Sequence, residues 1–171
     1  YLKVPVEYEN SIGMKFRLIP PGEFLMGSTP EEIREALNFM DEDKLRRDSV
    51  LSESPPHKVV LTKPVYLSVY EVTQSQYQKV RGVNPSMFSK TGYAPQMVKA
   101  VEGLETADHP VENLSWNDAT DFCLELSREE KLNPTYHRAG DRTMILNGNG
   151  YRLPTEAEWE FSCRAGTTTK Y

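Results

Sequence analysis

Between Gly150 and Gly166 the chain reads Gly-Tyr-Arg-Leu-Pro-Thr-Glu-Ala-Glu-Trp-Glu-Phe-Ser-Cys-Arg-Ala-Gly, and no other run constrains the fold as much. Its grammar is that of a short helix entered from extended chain. Thr155 is placed to cap the helix, Glu158 three residues on to complete a capping box, and Gly166 to stop it in the left-handed conformation. Ala157, Phe161 and Ala165 recur at four-residue steps with Trp159 and Cys163 beside them, an apolar stripe predicted to face a core. Glu156 and Glu160 fall in the first turns and Arg164 in the last, so the charges agree with the helix dipole.

The same grammar recurs upstream. Thr73 with Gln76, and Ser115 with Asp118, predict two further capped helices. The second carries Ala119, Phe122, Cys123 and Leu126 as its buried stripe. A fourth, charged helix is predicted after Ser28 or Thr29, with Pro30 at its first position and Ile33, Leu37, Met40 and Leu45 as a thin apolar line. Its acidic and basic residues (Glu31, Glu32, Asp41, Glu42, Asp43, Lys44, Arg46, Arg47) read as a solvated face.

Between the helices lie short strands. Lys15–Ile19 and Phe24–Ser28 flank Pro20-Pro21-Gly22-Glu23 and predict a hairpin. His57–Leu61 and Val65–Tyr70, with Lys63-Pro64 between them, predict an antiparallel pair. Thr135–Arg138 and Thr143–Leu146 predict a third pair about a Gly140-Asp141 turn. Residues 81–108, punctuated by Gly82, Pro85, Gly92, Pro95 and Gly103, read as a long loop, either functional or an insertion.

Composition excludes several classes. At 171 residues, 38% hydrophobic, 26% charged and a net charge of −5, the chain is an ordinary soluble globular type, neither disordered nor basic enough to suggest nucleic acid. No run approaches the roughly 18 apolar residues a membrane helix requires. Tyr1-Leu2-Lys3-Val4-Pro5 has no signal-peptide pattern. The missing initiator Met and an end shortly after a helix stop read as a piece of a longer polypeptide, so the compartment is left open.

Chemical motifs are absent in the usual senses: no phosphate-binding glycine loop, no His-Glu-x-x-His, no Gly-x-Ser-x-Gly. His57, His109 and His137 are isolated from other ligands, and His57 reads as a hydrogen-bonded structural histidine. Cys123 and Cys163 are too few for a disulfide scaffold and too far apart for a Cys-x-x-Cys motif, and read as small buried hydrophobes. Glu160 is equally placed to pair with Arg152 or with Arg164. No catalytic, cofactor-binding or metal-ligating residue is therefore assigned.

The string Arg152-Leu-Pro-Thr-Glu-Ala-Glu-Trp-Glu160 closely resembles the signature of the formylglycine-generating enzyme, or sulfatase-modifying factor, family. Ile19-Pro-Pro-Gly-Glu-Phe24 with Met26-Gly27-Ser28, Glu71-Val72-Thr73 with Gln76-Tyr77, and His109-Pro-Val with Ser115-Trp-Asn-Asp-Ala119 resemble its other blocks in the same order. The resemblance implies an α+β, C-type-lectin-like fold with short antiparallel strands, few helices and much irregular structure. On this reading residues 1–171 are the N-terminal part of one such domain, with a charged helical insertion at 28–50, a hairpin insertion at 131–149 and the C-terminal half absent. Trp116, Phe122, Trp159 and Phe161 are expected in the core.

Members that are enzymes oxidise a sulfatase cysteine to formylglycine, using oxygen and a copper ion held by two cysteines. The resemblance places those cysteines, the calcium ligands and most of the peptide groove in the second half, so no such residue carries over to this chain. In secreted members, cysteines at the positions of Cys123 and Cys163 pair with cysteines of that half. Other relatives are binding modules, kinase-fused domains or halves of iron-dependent sulfur-transfer enzymes. The departures at 81–108 and 131–149 favour a non-oxidase binding or regulatory member, with an oxidase or a sulfur-transfer enzyme as the alternatives. The expected partner is the missing half or another protein chain, neither nucleic acid nor membrane, because the aromatics of the Thr155–Arg164 helix need a cover.

Overall fold

The computed structural model describes residues 4–40 and 44–167. Among them the order of elements is β1 (Glu7–Glu9), β2 (Lys15–Ile19), β3 (Gly22–Met26), α1 (Pro30–Asn38), α2 (Lys44–Ser52), β4 (His57–Leu61), β5 (Val65–Ser68), α3 (Gln74–Arg81), α4 (Pro95–Ala100), α5 (Trp116–Glu129), β6 (Tyr136–Ala139), β7 (Arg142–Ile145) and α6 (Glu156–Arg164). This is the mixed α and β architecture with short antiparallel strands that the sequence predicts. None of these helices is long and apolar enough to cross a membrane.

The chain divides into two compact units. One comprises residues 1–18 and 66–153, the other residues 19–65 and 154–171. In the first unit a three-stranded sheet has the order β1-β2-β5. β1 and β2 are antiparallel, with Tyr8 opposite Phe16, and those two rings stack at 4.9 Å. Alternation along Ile12, Met14 and Phe16 buries one face of the β2 segment. That face joins Tyr77 of α3, Phe122, Cys123, Leu124 and Leu126 of α5, and Tyr136 of β6 in a single core cluster. Leu126 has no exposed surface at all.

Local polar groups decide where the helices begin. Thr29, Thr73, Ser115 and Thr155 are all N-caps with complete capping boxes, closed by Glu32, Gln76, Asp118 and Glu158 respectively. In each, the hydroxyl accepts from the backbone N–H three residues on while the side chain at that position accepts the cap's own N–H, satisfying two otherwise orphaned donors. α1 ends at Phe39, short of the Leu45 that the apolar line predicted, and a separate α2 follows. Asp41, Glu42, Asp43 and the Lys44 side chain lie outside the described residues.

Strand partners differ from the two hairpins predicted upstream. β2 pairs with β1 and β5, whereas β3 pairs with β4 in a sheet of its own, from Gly22 opposite Leu61 to Met26 opposite His57. Pro20 and Pro21 have no N–H with which to close a tight hairpin. Gly22 is in strand rather than turn, and its requirement is spatial: a Cβ there would lie 2.7 Å from the Phe161 ring. The third predicted pair forms in register, Tyr136 opposite Ile145 and Ala139 opposite Arg142, around Gly140-Asp141.

α6 turns out differently from its predicted stripe. Glu158 and Glu160 are its buried residues, Phe161 is half-buried, and Trp159 and Cys163 are exposed. Glu160, 4% exposed, accepts from the backbone N–H of Gly27 at 3.0 Å and from Arg164 Nε at 2.8 Å, and Arg164 donates in turn to the Gly27 carbonyl at 3.3 Å. The buried carboxylate is thereby supplied with the donors that its desolvation demands. Arg164 is the partner realised of the two the sequence allowed. Gly27 has φ +94° and its absent Cβ would lie 2.3 Å from the Glu53 carbonyl, so only glycine is accommodated at this close approach. Trp116, also expected in the core, is 53% exposed and meets Tyr136 edge-on at 6.1 Å.

Because removing one member of a buried pair strands the other, Glu160→Ala is expected to cost about 3 to 5 kcal/mol. Trp159→Ala, on the exposed side of the same helix, is expected to cost well under half of that. Urea unfolding of the two variants measures the difference.

Candidate functional site

The first unit carries an open cleft of about 580 Å³ where the start of β2, the chain after β5 and the cap of α3 converge, lined among others by Lys15, Ser68, Tyr70, Glu71, Gln76 and Asp108. The segment past β5 continues the sheet, Val69 N–H donating to the Lys15 carbonyl at 2.8 Å. It then turns into the Thr73 cap, and Thr73 bridges to Pro110. That bridge brings Asp108 to the mouth of the same cleft.

Tyr70 is 71% exposed, and Lys15, Glu71 and Asp108 are exposed beside it. None of these four side chains has a hydrogen-bond or ion-pair partner among the described residues. Two carboxylates and one ammonium line the cleft, which is therefore net negative. An aromatic ring, hydroxyls and an amide complete its wall, polar groups of the kind that fix the orientation of a ligand.

Within residues 81–108, whose last residue Asp108 lines the cleft, polar bonds pin the chain. Buried Gln74 donates to the Phe88 carbonyl at 3.1 Å and accepts from Asn84 at 3.0 Å. Glu112 accepts from Phe88 N–H at 2.8 Å, and Ser86 Oγ accepts from Glu112 N–H at 3.2 Å. The segment includes α4 and buries Val101. A second polar group ties α3, α5 and β6: Arg81 pairs with Glu125 and, at 3.7 Å, with Asp121. Arg138 holds Asp121 at 2.8 Å and the Asn117 carbonyl at 2.7 Å. Both assemblies lock structure.

The three histidines are dispersed. His57 stands exposed on β4 with Nδ1 3.2 Å from the Pro55 carbonyl, His109 is half-buried, and His137 is exposed on β6. Among the described residues no group of three or more His, Cys, Asp or Glu is placed to hold a metal ion. The cysteines are both free. Burial pushes the Cys123 thiol up to about 12, so that without a metal it stays protonated at neutral pH. Cys163 departs from the sequence expectation by being exposed. Among the described residues no grouped side chains fit a copper centre.

Comparison with known proteins gives this arrangement a family. Residues 5–171 match the model of the sulfatase-modifying factor enzyme 1-like domain. The chain belongs to the formylglycine-generating enzyme, or sulfatase-modifying factor, family. The chaperone protein LppX of Paenibacillus barcinonensis is 34% identical over 64% of this chain and 39% of that protein. The formylglycine-generating enzyme of Bos taurus is 26% identical over 86% of this chain and 39% of that enzyme. The chain thus spans about two fifths of the length of these relatives. Among solved structures, variable protein 1 of Treponema denticola superposes with a TM-score of 0.71 at 26% identity, over 98% of this chain and 60% of that one. PvdO from Pseudomonas aeruginosa shares the fold at TM-score 0.57 and 22% identity.

Two outcomes follow. Alkylation of the native chain with iodoacetamide at about pH 8 is expected to give a single adduct, at Cys163, by mass spectrometry, with Cys123 reacting only after denaturation. Glu130 provides a pH signature. Burial opposes its ionisation, but the Ser11 hydroxyl and N–H and the Tyr151 hydroxyl outweigh that and hold its carboxyl below the usual range. Its contribution to stability is thus complete above the unfolded value of about 4.3 and is lost as pH falls through the lower folded value. Glu130→Gln is expected to flatten that part of the stability curve, measured by urea midpoints across acid pH.

Proposed function

We propose that this chain is a binding part of a formylglycine-generating-enzyme-like domain, a non-oxidase member that uses the cleft at Tyr70, Glu71 and Asp108 to hold a protein segment carrying a basic side chain. The observation that carries this reading is the cleft itself, lined by two unpaired carboxylates, a single lysine and an exposed tyrosine. Carboxylates in this setting accept charge-assisted hydrogen bonds from arginine or lysine, and the tyrosine face suits a guanidinium plane. The chaperone among the relatives supports a role in handling polypeptides. Copper and calcium, where an enzyme of the family uses them, would be held by residues outside this chain. The remainder of the domain, or another protein chain, would be its partner, with neither nucleic acid nor membrane involved.

A second reading, the N-terminal portion of an oxidase, is favoured by the formylglycine-generating enzymes among the relatives. Two measurements separate the readings. Arrayed arginine-containing peptides are expected to bind the chain, and Glu71→Gln with Asp108→Asn to weaken them about tenfold, the effect of losing a charged hydrogen bond. Binding indifferent to both substitutions, or none, overturns the proposed site. Copper-dependent oxygen consumption with a Cys-x-Pro-x-Arg peptide by a polypeptide that joins this chain to the remainder of the domain would instead establish the oxidase.

A further inference from the structure

We propose that β7 is a self-complementary sheet edge through which two copies of this chain pair about a two-fold axis at Met144. The β6–β7 hairpin is a two-stranded sheet by itself, and its outer strand and the residue after it expose a run of three apolar side chains. Met144 is 47% exposed, Ile145 74% and Leu146 46%, where exposed edges ordinarily carry charge, proline or a bulge against association.

The register decides what that edge offers. Leu146 N–H donates to the Thr135 carbonyl at 2.7 Å, so Thr135 and Leu146 form a hydrogen-bonded pair. With Tyr136 opposite Ile145 and His137 opposite Met144, antiparallel alternation makes His137–Met144 and Ala139–Arg142 the other bonded pairs. The N–H and C=O groups of Thr143 and Ile145 therefore point away from β6. No other backbone bond takes them up among the described residues.

A second β7 placed antiparallel and centred on Met144 uses those groups completely. Thr143 of each copy meets Ile145 of the other in a hydrogen-bonded pair, and the two Met144 residues face each other in the closer, non-bonded pair. Arg142 then lies across from Leu146 and Asp141 from Asn147, so no like charges are opposed, the condition that most often forbids self-pairing of a strand. An isologous contact of this kind closes at two copies, leaving a four-stranded sheet in which the two Met144 side chains cover one another and Ile145 packs beside Thr143. A heterologous strand would need its own matching pattern, whereas β7 already holds the matching one.

Sedimentation equilibrium of the whole chain is expected to show a concentration-dependent dimer, and Ile145→Lys to weaken it at least tenfold, with an unfolding midpoint unchanged at concentrations where the parent chain is itself monomeric. A Met144→Cys variant made with Cys163→Ser is expected to oxidise to a covalent dimer, because non-bonded pairs bring Cα atoms to about 4.5 Å, within disulfide range. Arg142→Cys in the same background, out of reach of its own copy, is not. The crosslinks decide the matter should Ile145→Lys fail to fold. A chain monomeric throughout, a dimer indifferent to Ile145→Lys, or equal crosslinking at both positions overturns the proposal. A monomer that captures an extended peptide along β7 overturns it too and assigns the edge to a heterologous strand.

Discussion

A buried carboxylate organises the second unit. Glu160 is nearly inaccessible, and a charge in that position is tolerable only if surrounding donors replace its water. Two of those donors are the guanidinium one helical turn away and the backbone N–H of Gly27. The second is available only because Gly27 has no side chain and can adopt φ +94° against the Glu53 carbonyl. Ser28 continues the arrangement, donating from its N–H to the same carbonyl at 2.9 Å and from its hydroxyl to the Glu53 carboxylate at 2.7 Å. The Met-Gly-Ser and Glu-x-x-x-Arg wording of the chain thus has a structural reason that is independent of any reaction.

The first unit solves a different problem, how to fix long irregular connections. Aromatic packing supplies the centre, with Tyr8 stacked on Phe16 and Tyr77 on Phe122. Side-chain-to-backbone bonds from Gln74, Ser86, Asn84, Glu112 and Asn113 hold the loops around it. Lys15, Tyr70, Glu71 and Asp108 lie outside that bonding and line one cleft. Spending so much local bonding on loops is what allows a surface with little regular structure to hold a defined shape.

Helix starts were legible because a capping box is a local event: hydroxyl, spacing and carboxylate or amide all lie within four residues. Thr73, Ser115 and Thr155 needed nothing from elsewhere in the chain. The burial of α6 was misread because Glu158 and Glu160, which hydropathy assigns to solvent, are paid for by Thr155, Gly27 and Arg164. The candidate cleft was legible only in part: Glu71, Thr73 and Gln76 fall in a recognised block, whereas Lys15, Tyr70 and Asp108 are far apart in sequence and belong to none. Glu71 to Tyr77 and His109 to Val111 were recognisable blocks, but nothing in their wording says that they lie side by side.

By itself the sequence determined where helices α3, α5 and α6 begin, that β6 and β7 turn about Gly140-Asp141, and which family the chain joins. Each rests on residues a few positions apart or on an ordered series of short strings. Tertiary structure alone decided which strands pair, because the ladder of β3 is completed by β4 and that of β2 by β1 and β5, and backbone groups are indifferent to which strand satisfies them. It alone placed Trp116 and Trp159 at the surface and Glu160 inside, since burial depends on which donors the rest of the chain brings to a side chain and hydropathy records only the side chain's own preference.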